Sequence, residues 1–281
     1  MCLFFQICTA QLTDLARLEY SFIPKSKSPN QYTKIKALFN YPVKLKPHTY
    51  LVLGAEYNNI FLNIEADYPF DTSALSTIHV IDLNVGYTFK WNDNWRLGIK
   101  FNPRIASTLT KSLTSDDYFI NGGIYTVNDR TKDTSLKRPY RLVLGLTYNA
   151  TTGLPFPLPF VSYYREINTH WSFNLGVPKS NLKYAINTQN KVQNFVGLDG
   201  YLAHLQGGIN VNGQNANNVS LSVIVGGLGY EYLFTKHLVG YLYTGYTFRL
   251  NNVLRNDNRD EIFKLDDVNA FYLRTGLKFK I

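Results

Sequence analysis

The sequence predicts an all-β fold, a transmembrane antiparallel up-and-down β-barrel, on three observations. Hydrophobic residues recur with period two in segment after segment. The connections alternate between short turns and long polar loops. All three tryptophans stand beside short turns, where a barrel carries one of its interfacial aromatic girdles. Composition agrees. With 45% hydrophobic, 15% aromatic and only 17% charged residues, the 281-residue chain is too rich in apolar material to stay disordered. Its longest near-apolar run, residues 223–230, is broken by three glycines and falls well short of the roughly 20 residues a membrane helix needs.

Residues 1–10 read as the end of an export signal, a short apolar stretch followed by the small residues Cys8 and Ala10 placed as around a cleavage point. The stretch lacks an opening Lys or Arg and is short, so it is either a signal truncated at its start or not a signal. Residues 11–281 are then one barrel domain. Both cysteines, Cys2 and Cys8, precede it, which leaves the body without a disulfide framework or a thiolate metal site.

Strands follow in order at 15–23, 32–43, 49–57, 78–90, 95–107, 116–127, 139–149, 159–166, 170–177, 181–187, 191–203, 219–233, 238–250 and 268–281, which makes 14. The pair around Pro178 is short against the roughly 9–11 residues of a tilted spanning strand, and without it the count is 12. Either number is even, so both termini belong on the short-turn, periplasmic side. The short turns are 44–48, 92–94, 167–169, 188–190 and 235–237; the longest loops are 58–77, 204–218 and 251–267.

Two faces separate cleanly along the strands. Trp95, Leu97, Ile99 and Phe101 alternate with Arg96, Gly98, Lys100, Asn102 and Arg104. In the last strand Phe271, Leu273, Leu277 and Phe279 alternate with Tyr272, Arg274, Gly276, Lys278 and Lys280, and Leu142, Leu144, Leu146 and Tyr148 do so with Arg141, Val143, Gly145 and Thr147. An apolar face belongs against lipid and a polar one against the lumen, which makes Arg96, Lys100, Arg104, Arg141, Arg274, Lys278 and Lys280 candidate lumen-lining residues. Trp91, Trp95 and Trp171 are the candidate girdle. The segment 51–58 reappears at 142–149 and more loosely at 97–102, each copy opening a strand and placing a glycine on the polar face, as in a barrel grown from repeated hairpins.

Phrases such as residues 159–164, 171–184, 229–232 and the ending 270–279 resemble an uncharacterised family of outer-membrane β-barrels of Bacteroidota, itself a domain of unknown function. The similarity runs from about residue 15 to the end. It implies fold and location and brings no activity with it. Many such barrels end in Phe or Tyr, whereas this chain ends Phe279-Lys280-Ile281; the alternation is kept, and the last strand is expected to engage the barrel assembly machinery.

Little in the sequence points to catalysis. Of the five histidines, His48, His170 and His237 fall in short turns, and His170 is the only one with a serine, Ser172, two residues on. No carboxylate follows where a triad would need it, so the protein is not expected to be an enzyme. Asp257, Asp260 and Glu261 form an oxygen-rich loop, but it has no turn glycine and Arg255 and Arg259 intrude, so no metal is expected. No phosphate loop or dinucleotide fingerprint occurs, and no cofactor is expected. The net charge of +9 is spread singly along many strands rather than clustered, which argues against nucleic acid. Assigning the polar face to the lumen puts Arg17, Lys34, Lys36, Lys90, Lys183 and Arg249 beside the seven candidates, opposed by Glu19, Glu56, Asp82 and Glu231. The expectation is therefore a porin-like channel of the bacterial outer membrane, with lipid around it and a basic lumen for small, anionic solutes. The alternative is a non-conducting surface protein that binds a partner through its external loops.

Overall fold

The computed structural model describes residues 14–149 and 156–280; the expected leader, residues 1–10, lies outside them. Fifteen strands form in chain order: β1 (Ala16–Ile23), β2 (Gln31–Lys46), β3 (Thr49–Asn63), β4 (Thr77–Lys90), β5 (Arg96–Ser107), β6 (Tyr118–Asp129), β7 (Tyr140–Asn149), β8 (Phe156–Glu166), β9 (Trp171–Val177), β10 (Lys179–Ala185), β11 (Asn190–Val211), β12 (Gln214–Leu233), β13 (Leu238–Arg255), β14 (Glu261–Lys264) and β15 (Phe271–Phe279). Each of β1 to β13 pairs antiparallel with its sequence neighbour, and β15 lies between β13 and β1, in register from Ala16↔Phe279 to Phe22↔Leu273. The ring closes with 14 strands, so the larger of the two expected counts holds. β14 is an extra rung on the upper end of β13 and no part of the wall.

Four of the tight turns share one chemical device. Asn92 Oδ1 accepts from the N–H groups of Asn94 and Trp95, Asn168 Oδ1 from those of His170 and Trp171, and Asn187 Oδ1 from those of Gln189 and Asn190. Thr235 Oγ1 does the same for His237 and Leu238. A short polar side chain two or three residues upstream thus satisfies the amides that a reversing chain leaves free.

The alternation read from the sequence sorts the wall. Leu18, Phe39, Leu83, Ile120, Leu175 and Leu228 point outward and are exposed, while Glu19, Lys34, Asp82, Asn121, Gln193 and Glu231 point inward and are buried. A monomer in water would not leave such a band of large apolar side chains uncovered; hydrocarbon covers it without cost. The protein is a membrane-spanning barrel of outer-membrane type.

The long loops depart from expectation. Residues 204–218 are a continuation of β11 and β12 around a two-residue turn, Asn212-Gly213, with φ of 51° and 85°. Asn-Gly is the preferred pair for a turn that needs positive φ at both positions. Below it the register of β11 shifts between His204 and Ile209, where Gly207 and Gly208 also take positive φ. This bend carries β11 across the mouth to pair in parallel with β5 at His204↔Ser107. Tyr201, Ala203 and Leu205 thereby meet Ile60, Ile78 and Ala106 in a buried apolar cluster that also takes Leu75 from a single 3₁₀ turn, Ser73–Leu75. Besides the tight turn at Asn212-Gly213, two more connections break the short–long rule. A single residue, Pro178, joins β9 to β10 on the loop side, and residues 130–139 join β6 to β7 on the turn side.

The facing of β7 can be tested by charge. Leu144→Arg, outward near mid-strand, is expected to destabilise the folded barrel in lipid by roughly 2–4 kcal/mol, and inward Thr147→Arg by less than about 1 kcal/mol. Denaturant unfolding in vesicles measures both.

Candidate functional site: the charged lumen

Period two places one ionisable or amide side chain per rung on the inner wall, and the ring brings acids of one strand against bases of another. Asp82 on β4 takes both Nε and Nη2 of Arg104 on β5, at 2.8 and 2.9 Å. Glu56 on β3 pairs with Lys36 on β2 at 2.8 Å. Glu231 on β12 gathers Lys183 at 2.8 Å, Lys278 at 2.9 Å and the Tyr243 hydroxyl at 2.6 Å. Asp199 on β11 reaches across the interior to strands that are not its neighbours, meeting Lys34 of β2 at 2.7 Å and Arg274 of β15 at 2.7 Å. Glu19 on β1 lies 3.7 Å from Arg274 and accepts from the Tyr241 hydroxyl at 2.7 Å.

Glycines make room for this traffic. A Cβ on Gly98 would collide with the Tyr125 ring, and one on Gly229 with the Tyr243 ring. Each tyrosine lies flat across the neighbouring strand because no side chain stands there.

Of the seven candidate lumen residues, Arg104, Arg274 and Lys278 meet acids of the interior, so the set is not a row of free cations. Arg104 is neutralised by Asp82, Arg274 by Asp199, and Lys278 by Glu231. Arg96 donates to the His48 carbonyl at 2.9 Å and lies over the Tyr50 ring, and Arg141 lies over the Tyr164 ring. Lys280 stands past the end of β15, its N–H bonded to the His237 carbonyl at 2.9 Å. Lys100 remains exposed, with no ion-pair partner among the described residues. The cationic ladder of Arg96, Lys100 and Arg104 expected on β5 is therefore broken at both ends, by Asp82 on the neighbouring β4 and by the His48 carbonyl in the β2–β3 turn. Asp199 was missed among the inward acids, although it continues the inward run of Gln193, Phe195 and Gly197.

Below the apolar cluster lies a cavity of about 430 Å³. Its polar lining includes Lys34, Lys36, Lys100 and Arg104 against Glu56 and Asp199, and Ile60 and Tyr201 line its upper part. Trp91, Trp95 and Trp171 sit where their turns leave the wall, Trp91 and Trp171 exposed and Trp95 half-buried.

At the mouth a polar clamp holds β11 against β5. Asp117, fully buried, accepts from His204 Nδ1 at 2.9 Å, from Gln206 Nε2 at 2.8 Å and from the Thr114 N–H at 2.8 Å. Burial pushes its carboxyl up, but hydrogen bonds from Ser107, the Thr114 N–H, His204 and Gln206 outweigh it and hold the pKa at about 2. Ser107, His204 and Asp117 are the residue types of a hydrolytic triad in the wrong order. The serine and the imidazole both bind the carboxylate, so the hydroxyl has no base. In the oxygen-rich loop Asp257 accepts from Asn217 of β12 and Asp260 from Asn256, and no group of three metal-binding side chains occurs among the described residues.

Residues 7–280 match a family model described as "Domain of unknown function (DUF6268)". The chain belongs to this family. No curated protein matches this DUF6268 chain in sequence. Among solved structures it is similar to "KdgM porin", at 8% identity over 94% of this chain and 99% of that one with a TM-score of 0.40. It is similar also to the translocator domain of autotransporter NalP from Neisseria meningitidis, at 10% identity over 95% and 86% with a TM-score of 0.37. Outer membrane phospholipase A from Escherichia coli follows at 12% identity over 95% and 96% with a TM-score of 0.32. These likenesses are faint, and the fold assignment rests on the closed ring of strands itself.

Two outcomes are expected. Asp199→Asn leaves Lys34 and Arg274 facing each other without their shared carboxylate and should cost roughly 3–5 kcal/mol in denaturant unfolding. The Asp117 contribution is present in full above its unfolded pKa of about 4 and is lost as pH falls toward 2. Pepsin cleavage within residues 108–117 should therefore rise over that window in the wild type, whereas Asp117→Asn should be cleaved readily throughout it.

Proposed function

We propose that this DUF6268 protein is an outer-membrane channel with a narrow, basic lumen that passes small anionic solutes, and that the arrangement described above is its closed state. The supporting observation is Lys100, a lysine on the wall of the roughly 430 Å³ chamber, with no ion-pair partner among the described residues while the cations around it are paired. Lys34, Lys36 and Arg104 stand in the same chamber, so an entering anion meets one free charge and three that it can share with Asp199, Glu56 and Asp82. No enzymatic step is assigned. The last strand, β15, pairs on both edges in the finished barrel, a position consistent with its serving as the assembly signal.

A second reading has its own support. The buried packing of Tyr201, Ala203 and Leu205 on Ile60, Ile78 and Ala106 closes the external mouth with apolar side chains, as would suit a non-conducting anchor that displays its loops.

Planar-bilayer recording separates the two. A channel should show a reversal potential on the anion side in a KCl gradient, reduced in Lys100→Gln and raised in Asp82→Asn, which removes a carboxylate from the chamber. The preference should fade toward 1 M salt, where the Debye length falls from about 8 Å to about 3 Å. Silence in the wild type and in Asp117→Asn, whose clamp is weakened, would establish the anchor.

A further inference from the structure

Positive charge gathers at the turn end of the lumen. Inward parity brings Lys179 and Lys183 of β10, Lys191 of β11, Glu231 of β12 and Lys278 of β15 onto one stretch of inner wall. The stretch is low in the barrel. Lys191 follows directly on the turn that Asn187 caps, and Lys278 stands level with Val239, just above the turn that Thr235 caps.

Glu231 is the one acid of the group. Its carboxylate takes Lys183 at 2.8 Å through one oxygen and Lys278 at 2.9 Å through the other, so two ammonium groups flank it. Lys191 is its cross-strand partner on β11. Lys179 Nζ lies 4.7 Å from the centroid of the Tyr243 ring, whose hydroxyl donates to the same carboxylate at 2.6 Å. Neither Lys179 nor Lys191 has an ion-pair partner among the described residues. Every acidic side chain of the sequence lies among those residues, and the other interior acids serve elsewhere, Asp199 and Glu19 at Arg274, Glu56 at Lys36 and Asp82 at Arg104. Four ammonium groups thus share one carboxylate, which leaves an excess of three positive charges. Water reaches them, since Lys183 keeps 24% and Lys278 17% of its side-chain surface exposed.

Like charges so close repel, and an additional anion relieves them. A monovalent anion offsets only one of the three. A dianionic oxyanion offsets two and offers several oxygens to lysines that approach from different strands. Beside the carboxylate, the buried Gln193 donates through Nε2 to Glu231 and Tyr243, while its Oε1 has no donor among the described residues. The protonated oxygen of hydrogen phosphate carries such a donor, which chloride and acetate lack.

We propose that this lysine cluster is a binding site for the dianion of inorganic phosphate. Lys183 and Lys278 hold the ion, with Lys179 adding charge above them and Lys191 below. Glu231 keeps the two holding lysines together and, by its own charge, keeps the ion loosely enough bound to leave. The proposal rests on the reading of the lumen as an anion path; it adds the class of solute and a station apart from Lys100.

The test uses the full chain folded in detergent micelles at about pH 7.5, where phosphate is mostly a dianion, and at low salt, where screening is weak. Heat-modifiable migration checks the fold of every variant. Calorimetric titration should show phosphate bound about tenfold or more tightly than acetate. Lys183→Gln and Lys278→Gln should each weaken phosphate by about tenfold, and Lys191→Gln by about threefold. Lys236→Gln removes the same charge from an exposed turn on the same side and should leave binding unchanged. Phosphate held no more tightly than acetate, or equal losses in Lys236→Gln and in the cluster variants, would overturn the proposal. Anion-selective current in a protein that fails these titrations keeps the channel and removes the site. Phosphate binding that depends on Lys183 and Lys278 in a protein silent in bilayers keeps the site and removes the channel.

Discussion

Everything in this molecule follows from one constraint: a peptide group in hydrocarbon must find its hydrogen bond within the protein. Strands meet it only if the sheet closes, so β1 and β13 are held together by β15 in a 14-strand ring. Closure then dictates the chemistry of the two faces. The outside must match lipid, and the inside receives whatever polar groups the alternation delivers.

The interior shows how a chain with a formal charge of +9 avoids a lumen of mutually repelling cations. Acids are fewer than bases, and some of them serve several partners. Glu231 takes two lysines and a tyrosine, and Asp199 takes a lysine and an arginine from strands across the lumen. Charges so enclosed contribute little net attraction over hydration, but leaving any of them alone is expensive, so the network ties the relative heights of distant strands together. Tyrosines lying across Gly98 and Gly229 brace the same wall sterically.

Much of the fold was legible in the sequence because period two is a local signal that tertiary context reinforces in a barrel. The alternation around Trp95 and in the last strand sorts the faces as the structure has them, and 14 strands emerge once the short hairpin at Pro178 is counted. The upper hairpin of β11 and β12 reads as a loop in the sequence, because its polar residues mask the strand pattern on either side of Asn212-Gly213, a strong turn signal. The candidate site was half legible. Which side a lysine faces depends on its own strand, but whether it is free depends on the rung opposite, and pairings such as Asp199 with Lys34, 165 residues apart, have no local trace. The Asp117 clamp was invisible for the same reason, since it joins a loop to a strand end through groups that look like ordinary solvated polar residues.

The contact of β11 with β5 also bears on the order in which the molecule assembles. Nearly every other strand pair in the ring joins chain neighbours, which close quickly because little entropy is lost in bringing them together. Gln206 and Thr108, by contrast, are 98 residues apart, and the link between them is a few bonds rather than a ladder. Such a contact forms after the hairpins and gives way before them, as a separate cooperative unit of low local stability. The mouth can then open and reclose many times during the life of one folded wall, so the occlusion is a property of a population rather than of the fold.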